Sequence, residues 1–244
     1  MTKIVTNEAY EHVAGEGPLL LLCDHASNRL PPEYGSLGLS APEFERHIAY
    51  DIGARDVTLG LADRLKSEAL LTRHSRLLID PNRGMDDPTL IMKLSDGAVV
   101  PGNRHVDEAE REKRIARYHL PYHQAITAAL DARLAKGVAP IIFSMHSFTP
   151  FWRGWARPWH VGVLWDRDAR LALPMIHALA REPGMVVGDN EPYRGALEGD
   201  TLWQHGTERG IAHALIEVRQ DLIAAKSGVD EWVERLARVL EPFM

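Results

Sequence analysis

Two histidines, two carboxylates and a set of arginines stand at the ends of apolar runs in this chain. His25 follows Pro18-Leu-Leu-Leu-Leu-Cys-Asp24, with Ser27, Asn28 and Arg29 just beyond it. Asp80-Pro-Asn82-Arg83 follows Arg76-Leu-Leu-Ile, and His146 follows Ile141-Ile-Phe-Ser-Met. Glu217 and Arg219 close the run that starts at Ala212. Two histidines from separate strands, with a carboxylate nearby, are a sufficient donor set for zinc and leave one coordination position for water. A glutamate on a further strand can take the proton from that water. Arginines beside it can clamp a substrate carboxylate or share the charge of an oxyanion. Residue types alone do not bring these groups together. Asp24 to Arg29 also fits a helix N-cap followed by a solvated loop, and Asp, Pro, Asn and Gly around 80–84 are ordinary turn formers. Glu217 is the hardest to read as scaffolding, because a charge between Ile216 and Val218 must face solvent, a partner or a site.

The elements that would position these groups read as alternating strands and helices. The leucine run is too apolar to alternate and reads as a strand buried on both faces of a parallel sheet, whose carboxyl end is where ligands bind. Further strands are expected over 69–74, 76–80, 138–145, 160–165 and 212–219, with a short one near 185–189. A helix over 41–67, opened by Ser40-Ala-Pro-Glu43, would carry His47 and Asp51 one turn apart on one face, where an aspartate is ordinarily a solvated charge. Other helices are expected over 106–136, with a local break at Pro121, over 168–181 and over 229–240. Residues 84–105 read as a long functional loop, and 151–159 as a loop with an aromatic and cationic wall whose tryptophans pack within it. Both are expected to close over the site. The pattern is α/β, in one domain over 1–244.

Composition narrows the function. The chain is 45% hydrophobic and 25% charged over 244 residues, ordinary for one globular domain. A net charge of −6 gives no electrostatic support to nucleic-acid binding. The single cysteine, Cys23, lies inside the apolar run, which excludes a disulfide framework and reads as an inert core thiol in a reducing compartment. No segment has the length and apolarity to span a membrane, and the expected location is cytoplasmic. Neither a Gly-x-Ser-x-Gly elbow nor a glycine-rich phosphate loop is present.

The ordered motifs resemble those of zinc carboxypeptidase-like hydrolases and, more closely, the N-formylglutamate amidohydrolase family. The cues are His25-Ala-Ser-Asn with a following Pro-Pro, His47-Ile-Ala-Tyr-Asp51-Ile-Gly-Ala, Ser75-Arg-Leu-Leu-Ile-Asp-Pro-Asn-Arg83 and His146-Ser-Phe-Thr-Pro. Asp189-Asn-Glu-Pro-Tyr193 and Ile216-Glu-Val-Arg-Gln-Asp complete the set, so the resemblance runs from about residue 18 to 240. It implies a three-layer α/β/α sandwich around a mixed, mostly parallel sheet, and one Zn2+ (or another divalent ion) per chain. It makes His25 and His146 zinc ligands and Glu217 the general base and proton shuttle. Asn82 and Arg83 become the substrate-carboxylate pair, with Arg76 and Arg219 as further anion contacts. Zinc carboxypeptidases carry a glutamate three residues after the first histidine, where this chain has Asn28. Asp51 matches an aspartate of the formylglutamate hydrolases and is the expected third ligand, with Asn28 as second choice.

The expected activity is therefore zinc-dependent hydrolysis of the amide of a small N-acyl amino acid, N-formyl-L-glutamate first. Two other readings remain: a carboxypeptidase or deacylase with the same centre, and a metal-free carboxylate-binding protein using Arg76, Arg83 and Arg219. Asn28 in place of glutamate favours the last.

Overall fold

Five consecutive apolar residues need partners on two sides, and Leu19–Cys23 finds them inside a sheet covered on both faces. The protein's structure, a computed structural model, describes residues 4–244. Its strands are β1 (Ile4–Thr6), β2 (Tyr10–Val13), β3 (Leu19–Cys23), β4 (Glu68–Thr72), β5 (Leu94–Ser95), β6 (Ala98–Val99), β7 (Ile141–Phe148), β8 (Phe151–Trp152), β9 (Trp155–Ala156), β10 (Val161–Leu164), β11 (Val187–Asp189) and β12 (Ala212–Arg219). The α-helices are α1 (Ala54–Leu65), α2 (Glu108–Arg114), α3 (Leu120–Ala135), α4 (Ala172–Leu179) and α5 (Lys226–Leu240).

Eight strands form one mixed sheet in the order β1-β2-β4-β3-β7-β12-β10-β11. From β4 through β12 the neighbours are parallel, β10 turns antiparallel against β12, and β11 is parallel to β10. The pleat sorts the leucine run. Leu19, Leu21 and Cys23 join a core with α1, α4 and α5, whereas Leu20 and Leu22 pack with Tyr122, Ile126 and Leu130 of α3. This is the expected three-layer α/β/α arrangement. The same alternation on β12 sends Ala214, Ile216 and Val218 to the first face and Leu215 to the α3 face, together with Glu217. Among the described residues no helix is long and apolar enough to cross a membrane.

Several expected elements are corrected. The helix over 41–67 is a 3-10 turn at Ala41–Glu45, irregular chain over 46–53, and α1. Its backbone is claimed by tertiary partners: Asp51 N–H donates to the His25 carbonyl, and Ser75 Oγ and Arg76 N–H donate to the Ala49 carbonyl. Gly53 then reverses the chain at φ +79°, and a Cβ there would lie 2.3 Å from the Ile223 carbonyl oxygen. His47 and Asp51 are therefore not helical neighbours. Residues 76–80 form a buried turn rather than a strand, closed by Leu78 N–H to the Ser75 carbonyl. β7 begins three residues later than expected and continues through His146 to Phe148. Residues 84–105 and 151–159 each contain a short hairpin, β5–β6 and β8–β9. Phe151 and Trp155 stand exposed, at 62% and 80%, rather than packed. The break near Pro121 is present as a single π-turn, Ile115–His119, between α2 and α3.

Leu21 is fully buried at the centre of the sheet. Leu21→Ala is expected to lower stability by roughly 2–5 kcal/mol. In a urea titration this reads as a lower midpoint with an unchanged slope.

Candidate active site

His25 lies two residues past β3 and His146 lies within β7, and the sheet places these strands side by side. The rings meet edge to face with centroids 4.9 Å apart. Asp51 reaches them from the irregular segment before α1, its Oδ2 2.8 Å from His146 Nδ1 and 3.3 Å from His25 Nδ1. One donor atom from each of the three residues lies within 4.8 Å of the others, and all three residues are buried.

The outer nitrogens are also held. His25 Nε2 is 2.7 Å from Asp80 Oδ1, and His146 Nε2 is 3.1 Å from Asp24 Oδ2. A carboxylate on Nε2 keeps the proton there and leaves the Nδ1 lone pair facing inward, the arrangement that orients a metal-ligating histidine. Asp24 accepts from the Tyr122 hydroxyl at 2.8 Å and from Ser144 Oγ at 3.3 Å. Asp80 accepts from Arg76 Nη2 at 2.7 Å. Burial acts to raise the Asp51 pKa, but the two imidazoles outweigh it and hold the carboxyl ionised. Asp24 and Asp80 are likewise held below the usual range against burial, by the histidines and, for Asp80, foremost by Arg76. Three buried carboxylates surround two imidazoles, and Arg76 offsets one charge. Two imidazole nitrogens and a carboxylate oxygen are donors zinc accepts, and a divalent ion would balance the remaining charge. The residues fit the metal.

Glu217 pairs in register with His146 on one side and Gly162 on the other. Its side chain is buried, and Oε2 has no hydrogen-bond partner among the described residues. Burial, with the Asp51 charge behind it, pushes its pKa up to about 7 against the pull of His146, His25 and Arg76. Glu217, His25, Asp51 and His146 line a cavity of about 290 Å³ together with Arg76, Asn82 and Arg83. The adjacent Gly162 lacks a side chain for a steric reason, since a Cβ there would lie 1.9 Å from the Glu191 carbonyl oxygen. That contact seats the 189–195 segment on the sheet. Asn190 Oδ1 tightens it by accepting from the N–H groups of Trp165 and Gly195.

The remaining expected residues divide. Asn82 accepts from Thr201 N–H through Oδ1, which leaves its NH2 to donate. Arg83 bonds Thr89 and the Asn82 carbonyl through Nε and Nη1. Arg219 is corrected: it is engaged with Asp221 and the carbonyls of Arg157 and Trp159, and it does not line the cavity. Asn28 donates to the Phe44 carbonyl and faces a separate surface hollow, so Asp51 is the donor that stands with the histidines. No residue of 84–105 lines the cavity; that stretch reaches its edge through Asp96, 3.5 Å from His47, and through Thr89, which accepts from Arg83. Cys23 is fully buried, and burial pushes its thiol well above the ordinary range.

Asp24 belongs to the polar cluster that the sequence marks after the leucine run. Other contributors escaped the sequence reading, and Tyr122 on α3 carried no signal. Arg194 and Asp200 line the cavity from segments without periodicity. Beneath Asn82 and Arg83, His119 and His123 donate Nε2–H to the carbonyls of Arg83 and Pro81, and His205 stacks on His123.

Over residues 17–224 the chain matches the family model described as N-formylglutamate amidohydrolase. The chain belongs to the N-formylglutamate amidohydrolase family. It is accordingly an amide hydrolase. A gene product of Agrobacterium tumefaciens of known structure is 33% identical, with a TM-score of 0.92, and the alignment covers 97% of this chain and 94% of that one. An N-formylglutamate amidohydrolase from Ralstonia eutropha JMP134 is 22% identical, with a TM-score of 0.72 and 97% of both chains covered, a likeness of fold. A comparison with curated proteins finds no match.

Two outcomes are expected of this site. Asp24→Asn, which removes the charge behind His146, should weaken divalent-ion binding about 10–100-fold in calorimetric titration of chelator-stripped protein. His74, fully buried near the site, has its pKa pushed down by burial to about 4. The unfolded chain binds that proton near pH 6.5, so His74 contributes stability above that pH and the contribution is lost as pH falls toward 4. His74→Phe should therefore flatten the decline of the denaturation midpoint across that window.

Proposed function

We propose that this chain is a single catalytic domain hydrolysing the amide of an N-acyl amino acid, with one zinc ion per chain and N-formyl-L-glutamate as reference substrate. One observation carries the reading: Glu217, buried and with Oε2 unpartnered among the described residues, lines a cavity beside two carboxylate-backed histidines and an aspartate. An ion held by His25, Asp51 and His146 would supply Lewis acidity, polarising the amide carbonyl and easing loss of a proton from water near neutral pH.

The chain's own groups do the rest. Glu217, with its pKa at about 7, is suited both to accept the proton of the attacking water and to return it to the leaving amine. Arg76, anchored by Asp80 with Nη1 3.7 Å from Asp51, would share the charge that grows on the carbonyl oxygen. Asn82, oriented by Thr201, and Arg83 would hold the substrate carboxylate. Substrate is thus positioned by side chains whose own orientations are already fixed. A buried cysteine without a disulfide fits a cytoplasmic setting.

The test combines metal content with formate release from N-formyl-L-glutamate. About one zinc per chain is expected, with turnover lost on chelation and restored by zinc. Glu217→Gln should keep the zinc and lower kcat about 10²–10⁴-fold; near-normal turnover would remove its role. Arg83→Ala should act mainly on KM.

A further inference from the structure

Resting on the amidohydrolase reading, we propose that His123, flanked by His119 and His205, is the positioning residue that aims Asn82 and Arg83 at the substrate carboxylate. Imidazoles hold the backbone of the Pro81-Asn82-Arg83 turn from below. His123 Nε2–H donates to the Pro81 carbonyl and His119 Nε2–H to the Arg83 carbonyl, each at 2.9 Å. Thr201 Oγ1 adds a longer bond to the Pro81 carbonyl, at 3.3 Å. His123 Nδ1 lies 2.9 Å from His205 Nε2, with an angle of 17° between the two ring planes. None of the three histidines lines the cavity, so they act on substrate only through the turn.

The bonding order leaves one proton arrangement. A carbonyl only accepts, so a neutral His123 must carry its proton on Nε2 and present a lone pair at Nδ1. His205 fills that lone pair by donating from its own Nε2, which closes the other tautomer to His123. With the proton on Nδ1, His123 would turn a lone pair toward the Pro81 carbonyl and an N–H toward that of His205. Burial keeps these rings neutral, pushing His123 down to about 3 and His205 to about 4. Both flanking histidines come from π-turns, His119 from Ile115–His119 and His205 from Trp203–Thr207, a backbone form that is rare and concentrates at functional sites. α3 then supplies both halves of the site from adjacent residues. Tyr122 donates to Asp24 behind His146, and His123 supports the turn that meets the carboxylate.

The experiment measures KM and kcat on N-formyl-L-glutamate for zinc-loaded variants, and zinc affinity for the same proteins stripped by chelator. His123→Leu removes the donor to Pro81. His205→Phe keeps a ring without a donor, and His205→Gln keeps a donor. His123→Leu and His205→Phe should each raise KM about tenfold with kcat within about twofold, the size of coupling seen between groups in one network. His205→Gln should restore most of the loss. In an Asn82→Ala/Arg83→Ala background the same substitutions should add less than about twofold, because the groups they act through are gone. Zinc affinity should stay at the parent value, unlike that of Asp24→Asn. An unchanged KM in His123→Leu or His205→Phe overturns the proposal. So do a His205→Gln as impaired as His205→Phe, an undiminished effect in the double-alanine background, and a loss of zinc affinity. Calorimetric binding of N-formyl-L-glutamate reads the same differences without turnover. Absence of cleavage by the parent therefore counts against the amidohydrolase reading. Parent-like binding by Asn82→Ala/Arg83→Ala overturns the carboxylate assignment and the proposal with it, whereas binding weakened there but not in His205→Phe overturns the histidines alone.

Discussion

Carboxylates withdrawn from water at the carboxyl ends of β3 and β7 are the constraint around which this fold is arranged. Asp24, Asp51 and Asp80 are 0–5% exposed, and an ionised carboxyl in such surroundings is tolerated only with partners on its oxygens. The partners come from distant parts of the chain. Tyr122 arrives on α3, Ser144 on β7 and Arg76 on the turn after β4. The imidazoles of His25 and His146 stand between carboxylates, with one beside each ring nitrogen. The π-turn before α3 belongs to the same arrangement, because His119 lies within it and Tyr122 and His123 follow directly.

Against that background Glu217 is the exception. It is buried beside the others, but among the described residues no cation or donor is bonded to Oε2. Burial thus raises its pKa while partners lower those of Asp24, Asp51 and Asp80. Neighbouring carboxyls are driven in opposite directions by what touches them, which separates fixed anions from a carboxyl that can be neutral near pH 7.

What the sequence revealed follows from how local each signal is. The leucine run, the strands β7, β10 and β12, and the strand-end positions of both histidines were readable because burial writes itself into consecutive residues. Asp51 was not readable from periodicity: a helix over 41–67 fitted its neighbours, and tertiary hydrogen bonds at Ala49 and Asp51 with the reversal at Gly53 defeated that pattern. Resemblance supplied it instead. Arg219 misled because a charge at a strand's carboxyl end looks available until Asp221, two residues on, is seen to occupy it. Arg194 and Asp200 lie in irregular chain, where residue type carries no address.

The two walls of the cavity are built differently. On one side the Glu191 carbonyl occupies the space a side chain at Gly162 would fill, and Gly195 lies against the Trp165 backbone. The segment bearing Tyr193 and Arg194 is thereby part of the sheet's own thickness, and it has no room to drift without displacing the strand beside Glu217. The other wall, with Asp200 and Leu202, leads into a π-turn at Trp203–Thr207, a looser backbone form than a regular helix. Adaptation to a new substrate has an easy direction in such a cavity. Residues of the second wall can change size while Glu217 keeps its place, so relatives sharing one buried centre can diverge in the molecules they accept.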